Sequence, residues 1–384
     1  MIYLDNAATS YPKNEPALRR AMERYLALGA SPGRGGYDRA VEAEELVSSI
    51  RQNIATFCHA PTGSHTCFAA NATDALNTLI QGMADGTSHI VSTRLEHNSV
   101  LRPLRHMQYN DLLEVDILDF DDRGFVSVES IEAALRPHTK AVIITHASNV
   151  LGTVQPLIKI GAMLHRHGVA LCVDASQSVG HLPIDMQAAH IDALVFTGHK
   201  GPAGPTGIGA LVLDPCLDVK PSRFGGTGVD SHNPFQPTEY PARLESGTQN
   251  MLGIIALEEC LRDLSIHTQS IRLKEEMRLL KRLFGALVKL PGVRVYGGHD
   301  MEKQVPLLSC TVNDMKAADV GAVLDGDFDI AVRTGLHCAP LVHERLGTAP
   351  YGTVRFSLGS HTTDADIDAA IEAMQEIAQS CGSS

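Results

Sequence analysis

Short runs of consecutive apolar residues, each closed by small or turn-forming residues, recur through the middle of the chain. Ala141-Val142-Ile143-Ile144-Thr145, Val169-Ala170-Leu171-Cys172-Val173, Ala193-Leu194-Val195-Phe196 and Ile208-Gly209-Ala210-Leu211-Val212-Leu213 are too short for helices and read as buried strands. Helical stretches such as Leu157 to Gly168 lie between them. This alternation, from His65 to Leu213, predicts a mostly parallel sheet covered by helices on both faces. Upstream, residues 1–13 read as a short strand and turn. A helix over Asn14 to Leu28, with Pro16 in its first turn, and another over Asp38 to Cys58 follow, joined by the loop Ala30 to Gly36. Downstream come loops rich in Gly, Pro and Asn from Phe224 to Pro241, then helices over Leu252 to Leu264 and His267 to Leu290. Strands over Leu307 to Val312 and Tyr351 to Ser357 follow. A closing helix begins at Thr363-Asp364-Ala365-Asp366, an approximate capping box, with Ile367, Ile371, Met374 and Ile377 on its core face. The expected class is α/β: a large unit over 14–255, and a smaller α+β unit made of 1–13 and 256–384.

With 384 residues there is material for two cores. A net charge of −12 argues against nucleic acid or an anionic membrane as partner. No apolar run approaches membrane-spanning length, and Met1 to Asp5 lacks a basic, apolar leader. Eight cysteines without a Cys-x-x-Cys pair suggest neither a zinc knuckle nor a disulfide framework, so a reducing cytoplasm is the expectation. His165 and His167 sit two apart on one helix and face different directions, which excludes a metal pair.

Two strand ends carry the chemistry. Ala193 to Phe196 leads into Thr197-Gly198-His199-Lys200, and a second apolar run follows closely. A lysine so placed is hard to solvate; desolvation lowers its pKa, and a neutral amine can condense with an aldehyde. The ordinary reading is a solvated loop lysine. Val169 to Val173 leads into Asp174-Ala175-Ser176-Gln177. A carboxylate at the C-terminal end of a buried strand lies where open α/β sheets hold their ligands. A cofactor with a pyridinium nitrogen and an aldehyde needs such an acid and such an amine. Thr66 to Ala69, running into Asn71-Ala72-Thr73-Asp74, offers a helix N-terminus for a phosphate, although Asn71 or Thr73 as a simple N-cap explains it too.

The block from Asp174-Ala-Ser-Gln177 to Thr197-Gly-His-Lys200 and Gly204-Pro-Thr-Gly207 resembles the pyridoxal-phosphate enzymes of the class V aminotransferase superfamily, of fold type I. Within it the chain is most similar to the cysteine desulfurases and selenocysteine lyases, from Tyr3-Leu-Asp-Asn-Ala-Ala-Thr9 to the helix after Thr363. The resemblance implies a seven-stranded-type sheet and pyridoxal 5'-phosphate on Lys200, with Asp174 at the ring nitrogen and Gln177 at the ring hydroxyl. It implies His97 stacked on the ring and assisting proton transfer, and Ala72, Thr73, Thr197 and His199 around the cofactor, chiefly at its phosphate. Thr248 is expected to reach the phosphate of a neighbouring subunit, hence a homodimer; a threonine N-cap is the alternative. Asn149, Ala8 and Arg355 are expected at the substrate. Arg355 is a charge in an otherwise apolar strand and needs an anion, either an internal acid or a substrate carboxylate.

Aminotransferases need no thiol, whereas Arg333-Thr-Gly-Leu-His337-Cys338-Ala-Pro340 resembles the short cysteine loop of the desulfurases. Cys338 is then the nucleophile, with Arg333 and His337 as candidate charges beside it. The implied reaction takes L-cysteine to L-alanine, leaving a persulfide on Cys338 for a sulfur-acceptor protein. L-selenocysteine as substrate, or an aminotransferase or lyase with an incidental Cys338, are the rivals. Gly201-Pro202-Ala203 departs from the larger, tyrosine-containing turn of many relatives, which affects the outer wall of the pocket.

Overall fold

A computed structural model describes residues 1–33, 35–228 and 232–381. Arg34 of the expected Ala30 to Gly36 loop, and 229–231 of the loops before Pro241, lie outside the described residues.

The chain opens with β1 (Ile2–Tyr3), α1 (Glu15–Leu28) and α2 (Asp38–Phe57). Strands and helices then alternate: β2 (His65–Ala69), α3 (Ala72–Met83), β3 (His89–Thr93), α4 (Asn98–Tyr109), β4 (Glu114–Leu118), α5 (Val128–Ala134), β5 (Thr139–Thr145), α6 (Leu157–His167) and β6 (Ala170–Asp174). Next come β7 (Ala193–Thr197), β8 (Gly209–Leu213), α7 (Met251–Arg262), α8 (Ile266–Leu287), β9 (Val293–Tyr296) and β10 (Leu307–Val312). The chain closes with α9 (Ala317–Phe328), β11 (Ile330–Ala331), β12 (Arg333–Gly335), α10 (Pro340–Leu346), β13 (Thr353–Ser357) and α11 (Asp364–Cys381).

The central sheet has seven strands in the order β2-β8-β7-β6-β5-β3-β4. All run parallel except β8, which is antiparallel to both β2 and β7. Only the loop holding Lys200 joins β7 to β8, too little chain for the crossover helix that a parallel pair needs. Burial on both faces explains the uniformly apolar runs: every residue of β3, β7 and β8 is buried. One core packs helices, including Ile50 and Ile54 of α2 and Ile254 to Leu257 of α7, against Val142, Val173 and Phe196 of the sheet. It extends to Leu264 and also takes in Ala339 and Val342, just beyond Cys338.

A second, four-stranded antiparallel sheet has the order β12-β13-β10-β9. Its core joins Leu308 and Phe356 to Leu280 and Leu283 of α8 and to Ile367, Met374 and Ile377 of α11. Leu4 enters the same core, because β1 pairs in parallel with β11. The approximate capping box forms with aspartate: Thr363 N donates to Asp366 Oδ2 at 2.8 Å and Asp366 N to Thr363 Oγ1 at 3.2 Å. His165 stacks on His190 while His167 meets Glu132, and among the described residues there is no metal-binding cluster. Among them, too, no helix is long and apolar enough to cross a membrane.

Candidate active site

A cavity of about 350 Å³ opens at the C-terminal ends of the parallel strands, where side chains leaving β5, β6 and β7 converge with the segment after β3. It brings together Ala8, Ala72, Thr73, His97, Asn149, Asp174, Gln177, Thr197, His199, Lys200 and Arg355. Cys338 is not among them, although its neighbours Arg333 and His337 line the cavity, and neither is Thr248. Thr248 lines a separate cavity of about 250 Å³ with Asp74, Arg223 and Glu245, and Gly207 borders both.

One end of the main cavity is an anion cradle. Asn71 caps α3 by accepting from Asp74 N at 3.0 Å, leaving the earlier amides of Ala72 and Thr73 without an intrahelical acceptor. Thr73 Oγ1 lies 2.7 Å from Ser99 Oγ, so two hydroxyls stand beside that helix end. Ser99 and Thr206 also line the cavity; Thr206 lies in the Gly204 to Gly207 motif noted in the sequence, and Ser99 escaped notice as a site residue. Ser99 looked like an ordinary residue near a helix start, and its only signal was its place two after His97.

His97 is the N-cap of α4, and its Nδ1 accepts from Ser99 N at 3.0 Å. Nδ1 is therefore the bare nitrogen, and the neutral ring carries its proton on Nε2. Burial, and then the charge of Lys200, push the His97 pKa down to about 4, so the imidazole is neutral near pH 7. Burial likewise lowers Lys200 to about 8; Asp174 opposes that fall, while Arg355 and Arg333 add to it. Asp174 Oδ1 accepts from Ser176 N at 2.9 Å, and Gln177 Nε2 donates to Ala7 O at 3.0 Å.

Arg333 and Arg355 bring positive charge to the lining. Arg355, 1% exposed, donates Nη2 to Asp5 Oδ1 at 2.7 Å and Nη1 to Asn149 O at 3.0 Å. Its Nε is buried with no hydrogen-bond partner among the described residues. The internal acid anticipated for this strand is Asp5, and Nε keeps a donor that no described residue accepts from. Asn149 lines the cavity, and its Nδ2 donates to His337 O at 2.6 Å.

That bond helps hold the thiol loop. His337 and Cys338 both have positive φ, 47° and 59°, which costs energy in residues with a Cβ and persists only when neighbours enforce it. Asn149 holds the His337 carbonyl, and Asn98 N donates to Cys338 O at 2.7 Å. Arg333 Nη2 lies 3.3 Å from Cys338 Sγ, and Arg333 itself lines the cavity. His337 cannot supply the second charge expected from sequence: burial drives its pKa to about 2, and its Nε2 is engaged by Thr353. Cys338 is only partly buried, while Cys67, Cys172 and Cys310 are buried and their thiols pushed up by burial.

The sequence profile of the class-V aminotransferases matches residues 2–370. A probable cysteine desulfurase of Methanothermobacter thermautotrophicus is 32% identical over 385 residues, covering 98% of this chain and 94% of that one. A cysteine desulfurase of Enterobacter sp. is 30% identical, covering 98% and 93%. Among solved structures, the apo cysteine desulfurase of Thermococcus onnurineus superposes with a TM-score of 0.89 at 31% identity, covering 99% of this chain and 95% of that one. The chain therefore belongs to the class-V aminotransferase family, whose members are pyridoxal-phosphate enzymes.

Proposed function

We propose that the protein is a cysteine desulfurase that converts L-cysteine to L-alanine and retains the sulfur on Cys338. The observation that carries this reading is a partly exposed thiol, contacted by Arg333, beside a cavity that also holds an amine and a carboxylate. The names of the relatives support it.

The residues fit pyridoxal phosphate: the α3 N-terminus with Thr73 and Ser99 suits the phosphate, Asp174 the ring nitrogen, and Lys200 the aldehyde. When bound, the cofactor supplies an aldehyde for the substrate amine and a protonated ring that accepts electrons. Arg355, which lines the cavity and whose Nε no described residue engages, binds the substrate carboxylate. Lys200, with its pKa near 8, takes the α-proton when neutral and returns it. Neutral His97 is positioned to move a proton at its Nε2. Cys338 attacks the substrate sulfur as thiolate: its S–S bond forms while the carbon–sulfur bond breaks. One cysteine plus one enzyme thiol give alanine plus one enzyme persulfide, with no outside oxidant or reductant.

The proposal extends to a sulfur-acceptor protein, a reducing cytoplasmic setting, and a homodimer in which Thr248 reaches the partner's phosphate. In functional terms, residues 14–255 hold the cofactor, while 1–13 and 256–384 bring Arg355 and Cys338 to it. The test is alanine and sulfide release from L-cysteine by the loaded protein and by Cys338→Ala, repeated with L-selenocysteine. Loss of cysteine turnover alone in the variant supports the reading; full cysteine turnover without the thiol defeats it.

A further inference from the structure

Thr9, Ser10 and Lys13, in the turn between β1 and α1, play no part in the steps above, yet they converge on one atom next to Lys200. The carbonyl oxygen of His199 is approached by Lys13 Nζ at 2.8 Å, Ser10 N at 3.0 Å, Thr9 Oγ1 at 3.0 Å and Ser10 Oγ at 3.1 Å. Lys13 Nζ also donates to Thr9 Oγ1 at 2.8 Å and Ser10 Oγ at 3.1 Å, so its three hydrogens match three oxygens. Among the described residues no carboxylate pairs with Lys13, although burial lowers its pKa to about 8. An ammonium held this way is a strong donor with a fixed aim rather than half of a surface ion pair.

A second tie lies just beyond Lys200. Asn14 N donates to Ala203 O at 2.9 Å, and Asn14 Nδ2 reaches Asp263 at the end of α7 at 2.9 Å. The turn thus grips the chain on both sides of Lys200, at residues 199 and 203. A peptide unit is planar, so fixing the oxygen of residue 199 also fixes the nitrogen of residue 200.

We propose that Lys13 is a positioning residue for Lys200: with the hydroxyls of Thr9 and Ser10, its ammonium clamps the His199 carbonyl and sets the direction in which the Lys200 side chain leaves the backbone. This rests on Lys200 being the reacting amine. Side-chain torsions cannot restore the lost aim without cost, and small misplacements of a reacting group are expensive in rate.

The test uses Lys13→Met, which keeps length but removes the charge, and Lys13→Arg, which restores a cationic donor. Three quantities are read: kcat and KM for cysteine in loaded protein, the pH-dependent acylation of Lys200 in cofactor-free protein by competitive labelling and mass spectrometry, and the thermal midpoint. The clamp predicts that Lys13→Met lowers kcat about tenfold or more, with KM changed less than about twofold. It also predicts altered Lys200 labelling at a near-unchanged thermal midpoint, and recovery of most of the rate in Lys13→Arg. Wild-type kcat and labelling in Lys13→Met would overturn it, as would a loss that Lys13→Arg leaves in place. If Lys13→Met does not fold, Ser10→Ala takes its place, with a smaller change in the same direction expected and no change counting against the clamp. A wild type without desulfurase turnover would sink the reaction proposed above, while the labelling comparison would still decide the clamp.

Discussion

Arg333 faces Arg355 directly across the antiparallel pair of β12 and β13, so two guanidinium groups start from opposed backbone positions. Like charges directly opposite each other are unfavourable unless each has an anion. Arg355 has Asp5, while Arg333 has Cys338 Sγ at 3.3 Å. In the proposed reaction Arg355 takes the substrate carboxylate, while Arg333 donates to the Cys338 sulfur. Replacing Arg333 with Met is expected to slow alkylation of Cys338 and to lower turnover about tenfold or more, the scale of one charge-assisted hydrogen bond. Timed iodoacetamide labelling of the cofactor-free protein checks this, and an unchanged labelling rate would remove Arg333 from the account.

The unsatisfied Nε of Arg355 carries its own prediction. Lysine at this position keeps a charge but has no planar fork. Arg355→Lys is expected to raise KM for L-cysteine about 10- to 100-fold, with a smaller effect on kcat. A kcat loss at constant KM would mean that Arg355 acts on the chemistry and not on the substrate carboxylate.

Asp174 holds the Lys200 pKa up against burial, because a nearby carboxylate favours the ammonium form. Asp174→Asn removes that charge, so the Lys200 midpoint in cofactor-free protein is expected to fall below the wild-type value of about 8. Competitive acylation across pH measures it. A midpoint that stays put or rises would show that the two groups do not share a field.

Glu96 supplies a stability prediction. Burial raises its carboxyl from 4.5 to about 8, partly offset by hydrogen bonds from Thr93 Oγ1 and Thr145 N, and the charge of Asp174 adds to the rise. Between those values the folded protein binds more protons at this site than the unfolded chain. Its contribution to stability is thus complete below pH 4.5 and is lost as pH rises through about 8. Glu96→Gln keeps an acceptor but cannot ionise, so its melting temperature should fall less than the wild type's between pH 5 and 8. Parallel decline of the two curves would contradict the buried neutral acid.

Asp174 and Lys200 were legible because each is announced locally, by a polar residue closing an apolar run. The direction of β8 was not, since an apolar strand reads the same either way and only the length of its connection decides. Asp5 as the partner of Arg355 lies 350 positions away, and no local pattern reports a contact made through β1 and β11. His337 looked like a cation because it adjoins Cys338, but burial is a tertiary property and leaves it neutral. Asn149 lines the cavity as expected from sequence, but the hydrogen bond from its Nδ2 to the His337 carbonyl joins positions 188 apart, which no local pattern reports.

The most direct measurement is the mass of the peptide containing Cys338 after a single turnover with one equivalent of L-cysteine, in wild type and in Lys200→Ala. The account predicts one added sulfur atom on Cys338, removable by a thiol reductant and matched by one equivalent of alanine, and none in the lysine variant. Alanine formed while the Cys338 peptide keeps its original mass would contradict it.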